Sequence, residues 1–116
     1  MKRGEIWDIQ YPLSERSGSE PYGQGPIVIV SSSAFNQSAI QTVMVAVITS
    51  NLKLARAPGN ILVAASNITG LRIDSVINVS QILVVNKTRL VVRRGQLDDI
   101  SLELLDLGLR KVFDLE

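Results

Sequence analysis

A chain of 116 residues with 46% apolar side chains has the size and hydrophobic content of one domain, residues 1–116, able to bury a core without covalent staples. It contains no cysteine and no histidine, which excludes disulfides, thiolate nucleophiles, Cys-based metal sites and the commonest general base, so any catalysis rests on Arg, Lys, Thr, Ser, Tyr, Asp or Glu. The net charge of +1 hides an uneven distribution: residues 1–97 carry ten Lys/Arg against five Asp/Glu, and residues 98–116 two against six, so a basic body that can attract a polyanion precedes an acidic tail.

In chain order, Met1-Lys2-Arg3 is basic, but Gly4-Glu5 follows at once with no apolar stretch, so no secretory signal is expected. The longest apolar run, Val43–Ile48, is far short of the roughly 20 residues a membrane span needs, and a cytoplasmic protein without membrane contact is expected. Glu5–Ile9 reads as the first strand, and Ser14–Pro26, rich in Ser, Gly, Pro and Glu, as a long loop. Ile27–Ser31 is the next strand, followed by a polar connection, Ser32–Gln41. Val43–Thr49 is almost wholly apolar, as in a strand buried on both faces. Ser50–Gly59 is a second loop, with Lys53 and Arg56, and Asn60–Val63 a further strand. Ser66–Arg72 reads as a turn or short helix, and Ser75–Val79, Gln81–Val85 and Leu90–Val92 complete the β series. Short strands without long intervening helices predict a small, curled barrel.

The tail differs. Asp98 or Asp99 can cap a helix, and Leu102, Leu105, Leu109 and Val112 fall at helical spacing, with Leu104 and Phe113 widening the stripe. Arg110 and Lys111 sit where the helix dipole favours cations, while Gly108 weakens the pattern by about 1 kcal/mol relative to alanine. The fold class is therefore mainly β with a C-terminal α-helix. No P-loop or nucleophile elbow is present.

An ordered series of short motifs spans nearly the whole chain: Met1-Lys2-Arg3-Gly4-Glu5-Ile6-Trp7, Gly18-Ser19-Glu20, Gly23, Pro26-Ile27-Val28-Ile29-Val30, Val43 to Thr49, Asp74-Ser75-Val76, Gln81-Ile82, Lys87-Thr88-Arg89-Leu90 and Leu97-Asp98-Asp99. Each is weak alone; in this order and spacing they resemble the MazF/PemK family of toxins. The resemblance implies an SH3-like barrel, shared with CcdB toxins, that forms a homodimer. It further implies a toxin of a type II toxin–antitoxin pair that cuts single-stranded RNA (mRNA) without metal or cofactor, by attack of a ribose 2′-hydroxyl on the neighbouring phosphorus. A cognate antitoxin protein would cover the site with an extended, often acidic segment, which suits the basic body.

By the same resemblance the family's catalytic arginine falls at position 25 and its threonine at Thr49, with Glu20 shaping the site or acting as base. A bidentate guanidinium neutralises charge on the phosphoryl oxygens, and a hydroxyl holds an oxygen or orients the attacking group. Here position 25 is Gly25. Loss of such a donor costs on the order of 100- to 1000-fold in rate. The glycine is consistent with a substitution that tames a toxic chain and with a binding-only member; Arg16, in the same loop, is an alternative donor. RNA contacts are expected from Tyr22 as a stacking ring, Gln24, Lys53, Arg56 and Gln81. From the residues alone, Thr49 is an ordinary strand threonine, Lys53 and Arg56 are solvated loop charges, Arg89, Arg93 and Arg94 form a basic cluster open to RNA, to the dimer or to no role, the last being favoured, and Trp7 and Phe113 fill the core. Two other classes stay open: a gyrase poison of the CcdB kind, and a protein that only captures antitoxin or RNA.

Overall fold

The computed structural model describes residues 1–10 and 24–115. Strands β1 (Glu5–Gln10), β2 (Gln24–Ile29), β3 (Thr42–Thr49), β4 (Ile61–Val63), β5 (Ser75–Asn86) and β6 (Leu90–Gln96) form one antiparallel sheet in the order β4-β5-β3-β2-β1-β6. β3 is almost wholly apolar because the sheet carries a core on each face. Val43 and Val45 join Ile9, Ile27, Ile29, Val85 and Leu90 on one side. Ala46 and Ile48 join Ile6, Val28, Ile77, Val79 and Leu105 on the other. The alternation of a strand assigns each set to its face.

Several boundaries differ from the expectation. The segments Ser75–Val79 and Gln81–Val85 are one strand, because Ser80 lies in an irregularity of the ladder instead of a turn. β6 runs on to Gln96, and β2 ends at Ile29 instead of Ser31. Asn60 stands outside β4, its side chain engaged elsewhere. The polar connection 32–41 contains a short helix, α1 (Ser33–Gln37), whose first turn is capped by the Ser32 hydroxyl accepting from Phe35 N–H. Five residues are too few to show an apolar period. The second loop holds a 3-10 turn, Leu52–Arg56. Of the long loop Ser14–Pro26, residues 14–23 lie outside the described residues, and Gln24–Pro26 belong to β2.

Among the described residues the sheet is a row of six hydrogen-bonded strands. Its ends are brought together by the segment after β4, where the Ile68 carbonyl accepts from Gln96 N–H of β6 at 3.0 Å. A side chain at Gly95 would strike the Ile68 carbonyl.

Helix α2 (Asp99–Phe113) follows the acid cap: Asp98 Oδ1 accepts from Ser101 N–H at 2.7 Å, and that bond holds the carboxyl below the usual carboxylate range. The helix lays Leu105 and Gly108 into the core, with Leu102 and Leu109 partly buried beside them. Val112, expected in this stripe, and Leu104 and Phe113, expected to widen it, are instead 41%, 44% and 56% exposed: Leu104 stands among the exposed residues of the helix, and no helix residue beyond Leu109 is buried. Gly108, the weak point of the helical pattern, has a packing reason. It meets the backbone of Gly59, whose positive φ of 81° suits a residue without a side chain, and a Cβ on Gly108 would run into the Gly59 carbonyl.

Two outcomes are expected. Gly108→Ala raises helix propensity by about 1 kcal/mol yet lowers the melting temperature, because the clash separates α2 from the sheet; an unchanged or higher melting temperature contradicts the contact. The depressed Asp98 carboxyl contributes stability that is complete above its unfolded value of about 3.9. That contribution disappears as pH falls through the lower folded value. Asp98→Asn and the parent chain are therefore expected to differ in thermal stability at neutral pH and to converge as the pH is taken below about 4.

Candidate functional site

Pro26 has no N–H to give to a ladder. The β2–β3 pairing accordingly runs Ile29↔Val45, Val28↔Ala46, Ile27↔Val47 and stops there. Continued in the same register, it sets Gly25 opposite Thr49. Residues opposite one another in an antiparallel pair share a face, so both stand on the face of Ile27 and Val45, half-buried at the end of that row. Gly25 is held from its other side by β1, paired with Ile9.

The Thr49 hydroxyl accepts from Asn51 N–H at 3.2 Å, and Asn51 Oδ1 accepts from Lys53 N–H at 3.2 Å, opening the 3-10 turn. Two short side-chain-to-backbone bonds thus connect Thr49 to the turn that carries Lys53 and Arg56, both solvent-exposed. The turn is fixed below by Asn60, whose Nδ2 donates to the Leu54 carbonyl at 2.9 Å and whose Oδ1 accepts from Val79 N–H at 3.0 Å.

On the other side of β3, the ladder with β5 shifts between Ala46↔Ile82 and Val47↔Asn78, leaving Val79, Ser80 and Gln81 without partners on β3. Asn78, opposite Val47, shares the face of Thr49, one step along the strand. Its buried side chain accepts from Ser80 N–H at 3.2 Å and from the Ser80 hydroxyl at 2.6 Å, and donates to Gln81 Oε1 at 3.0 Å. The exposed Gln81 is thereby brought to the same face as Thr49 and position 25.

Of the residues expected at a site, Gly25, Thr49 and Gln81 fall on one face of the sheet, and the turn with Lys53 and Arg56 adjoins Thr49. Glu20, Tyr22 and Arg16 lie outside the described residues; Gln24 is placed by its backbone, which pairs with Gln10. Asn51, Asn60 and Asn78 were missed. Asn78 had a signal, an amide inside the apolar run Val76-Ile77-Asn78-Val79, since a buried amide must find partners. The arginine cluster is structural. Arg94 grips the buried Asp8 carboxylate at 2.6 and 2.8 Å, and that hydrogen bond, then the charge of Asp8, raises the guanidinium pKa further. Arg93 pairs with Glu5 at 3.2 Å, and Arg89 Nε donates to the Gln10 carbonyl at 3.0 Å. Burial of Glu5 pushes its carboxyl up, but the Trp7 indole N–H at 3.0 Å, a backbone bond and the Arg93 charge outweigh it, and its pKa is lowered. Trp7 packs against the β1–β2–β3 core as expected; Phe113 does not.

The profile of the family described as "PemK-like, MazF-like toxin of type II toxin-antitoxin system" matches residues 2–113. The chain is 43% identical over 115 residues to proteins named Endoribonuclease MazF2 of Mycobacterium bovis and Endoribonuclease MazF6 of Mycobacterium tuberculosis, covering 99% of this chain and 98% of each relative. It is 31% identical over 110 residues to Endoribonuclease EndoA of Bacillus subtilis, covering 95% of this chain and 91% of that one. Among solved structures, a mycobacterial endoribonuclease in complex with its cognate antitoxin superposes with a TM-score of 0.79 at 20% identity, covering 100% of this chain and 97% of that chain. The Mycobacterium tuberculosis toxin MazF-mt6 gives 0.77 at 20% identity, covering 97% and 98%.

The two sets of cations should separate on mutation. Arg94→Met strands the Asp8 carboxylate and is expected to cost about 2 kcal/mol in denaturant unfolding. Lys53→Ala with Arg56→Ala, on an exposed turn, should stay within about 0.5 kcal/mol of the parent at each position. The reverse order would reassign their roles.

Proposed function

The chain belongs to the PemK-like, MazF-like toxin family of type II toxin–antitoxin systems, and on that premise we propose that its β2–β3–β5 face is a ribonuclease site for single-stranded RNA in the cytoplasm. One observation supports this reading: the β2–β3 register, continued past Ile27↔Val47, points position 25 and Thr49 to the same end of one face, the face that Asn78 and its partner Gln81 share, with the Lys53/Arg56 turn bonded to Thr49. A phosphodiester seated over position 25 and Thr49 has the turn's cations for its neighbouring phosphates and Gln81 for a base edge. The ribose 2′-oxygen attacks phosphorus and the bond to the 5′-oxygen breaks. The 5′-oxygen leaves with a proton, giving a 2′,3′-cyclic phosphate and a 5′-hydroxyl end. Thr49 holds an oxygen or orients the 2′-hydroxyl, Glu20 shapes the site or takes the proton, and an arginine at position 25 neutralises the phosphoryl oxygens. Tyr22 and Gln24, next to position 25 in the chain, add base and backbone contacts.

Glycine supplies no side-chain donor, so the present chain is an impaired enzyme that keeps the binding surface. The relatives' names favour ribonuclease over gyrase poison; Gly25 itself favours the binding-only alternative. Two partners complete the reading. An antitoxin covers the basic face; the mycobacterial endoribonuclease that superposes on this chain is itself in complex with its cognate antitoxin. A second copy of the chain covers apolar surface: Ile100, Leu104 and Leu107, at helical spacing on the outer side of α2, are 73%, 44% and 62% exposed.

Incubation of a long single-stranded RNA with this chain and with its Gly25→Arg form, in EDTA, tests the proposal. The arginine form is expected to cut at least 100-fold faster and to leave cyclic phosphate ends. A folded Gly25→Arg protein that leaves RNA intact contradicts the ribonuclease reading; tight antitoxin capture by both forms would then support the binding-only one.

A further inference from the structure

The bond pattern around Gln81 has a direction, and the direction is set by the backbone. Ser80 N–H can only donate, and it donates to Asn78 at 3.2 Å, so the atom it meets is the Asn78 carbonyl oxygen, Oδ1. The Ser80 hydroxyl adds a second bond to the same oxygen at 2.6 Å. With Oδ1 occupied, Asn78 turns its NH2 group to Gln81, which must answer with an acceptor, its Oε1, at 3.0 Å. Asn78 is 7% exposed, so water does not compete freely for these bonds. The free end of Gln81 is therefore its NH2 group, a donor, on an exposed side chain.

We infer that Ser80 and Asn78 lock the Gln81 amide with its NH2 outward, making this edge of the site a subsite that reads a keto base, uracil or guanine, over an amino base, cytosine or adenine. The inference rests on the ribonuclease reading and deepens it. Uracil O4 and guanine O6 accept from such a donor; cytosine N4 and adenine N6 set donor against donor. Asn78 is a positioning residue, acting through Gln81 without touching RNA.

An isosteric change inverts the relay. In Asn78→Asp one carboxylate oxygen still accepts from Ser80, and the other accepts from the Gln81 NH2 group, which turns the amide over and points Oε1 outward. Gln81→Glu reaches the same end on the exposed surface, since the Asn78 NH2 holds one carboxylate oxygen and the other faces out. The cleavage motifs of the Gly25→Arg chain, alone and combined with each change, are read on an RNA pool of random sequence. The same pool, filtered for binding, is applied to the Gly25 chain and to the same two changes in it. The expected result is a keto base at one motif position in the parent. At that position the preference shifts by about tenfold toward amino bases in both variants, with the remaining positions unchanged. A loss spread evenly over all sequences, or the parent motif retained in Asn78→Asp while Gly25→Arg cleaves, overturns the relay and leaves the ribonuclease reading standing. An Asn78→Asp chain that does not fold transfers the decision to Gln81→Glu and the parent. An amino base at the position that Gln81→Glu alters, or no altered position, overturns the inference. No cleavage by Gly25→Arg and no base preference in binding would remove both.

Discussion

The register shift between β3 and β5 is the constraint around which the site is arranged. It frees three consecutive residues from β3, the buried Val79 and the exposed Ser80 and Gln81, whose backbone groups turn to partners outside that ladder. Two of the N–H groups find amide side chains: Val79 that of Asn60, and Ser80 that of Asn78. Each asparagine uses its remaining NH2 group to hold something at the surface, the 3-10 turn in one case and Gln81 in the other. The bulge thus converts a defect in the ladder into two anchored positions flanking Thr49, and nothing in the turn has to be held by packing alone.

The same economy of charge runs through the rest of the sheet. The basic residues of the described chain differ in their pairing. Arg94 and Arg93 answer carboxylates on β1, and Arg3 answers Asp106 on α2 at 2.6 Å while its Nε donates to the Val30 carbonyl. These pairs join the first strand to the last strand, and the segment before the first strand to the helix. Lys53 and Arg56 are exposed on a turn beside Thr49.

Much of this was legible from residue order. The apolar run of β3 and the leucine spacing of α2 correctly gave a sheet with two packed faces and a terminal helix. The motif series singled out Gly25 and Thr49, which the structure puts at the ends of the neighbouring strands β2 and β3. What stayed hidden was cooperative. The continuity of β5 through Ser80 depends on bonds supplied by Asn60, nineteen residues away from Val79, and no local window contains that information. Phe113 misled because an aromatic at the end of an apolar stripe looks like core, whereas the stripe outlasts the burial it serves. The small helix α1 owes its existence to Ser32 and to the Ser31–Asn36 side-chain bond rather than to any periodicity.

The contact between Gly59 and Gly108 has a consequence for resculpting the molecule. Two bare backbones meet where the turn returns to the sheet and the helix crosses it, so the two positions form one unit of sequence choice. A library that diversifies the turn can roam over its exposed residues, but a side chain at Gly108 strikes the Gly59 carbonyl, and one at Gly59 must adopt a positive φ of 81° against the helix backbone. Variation in this part of the scaffold is channelled into the outward residues of a turn that rests on two missing side chains.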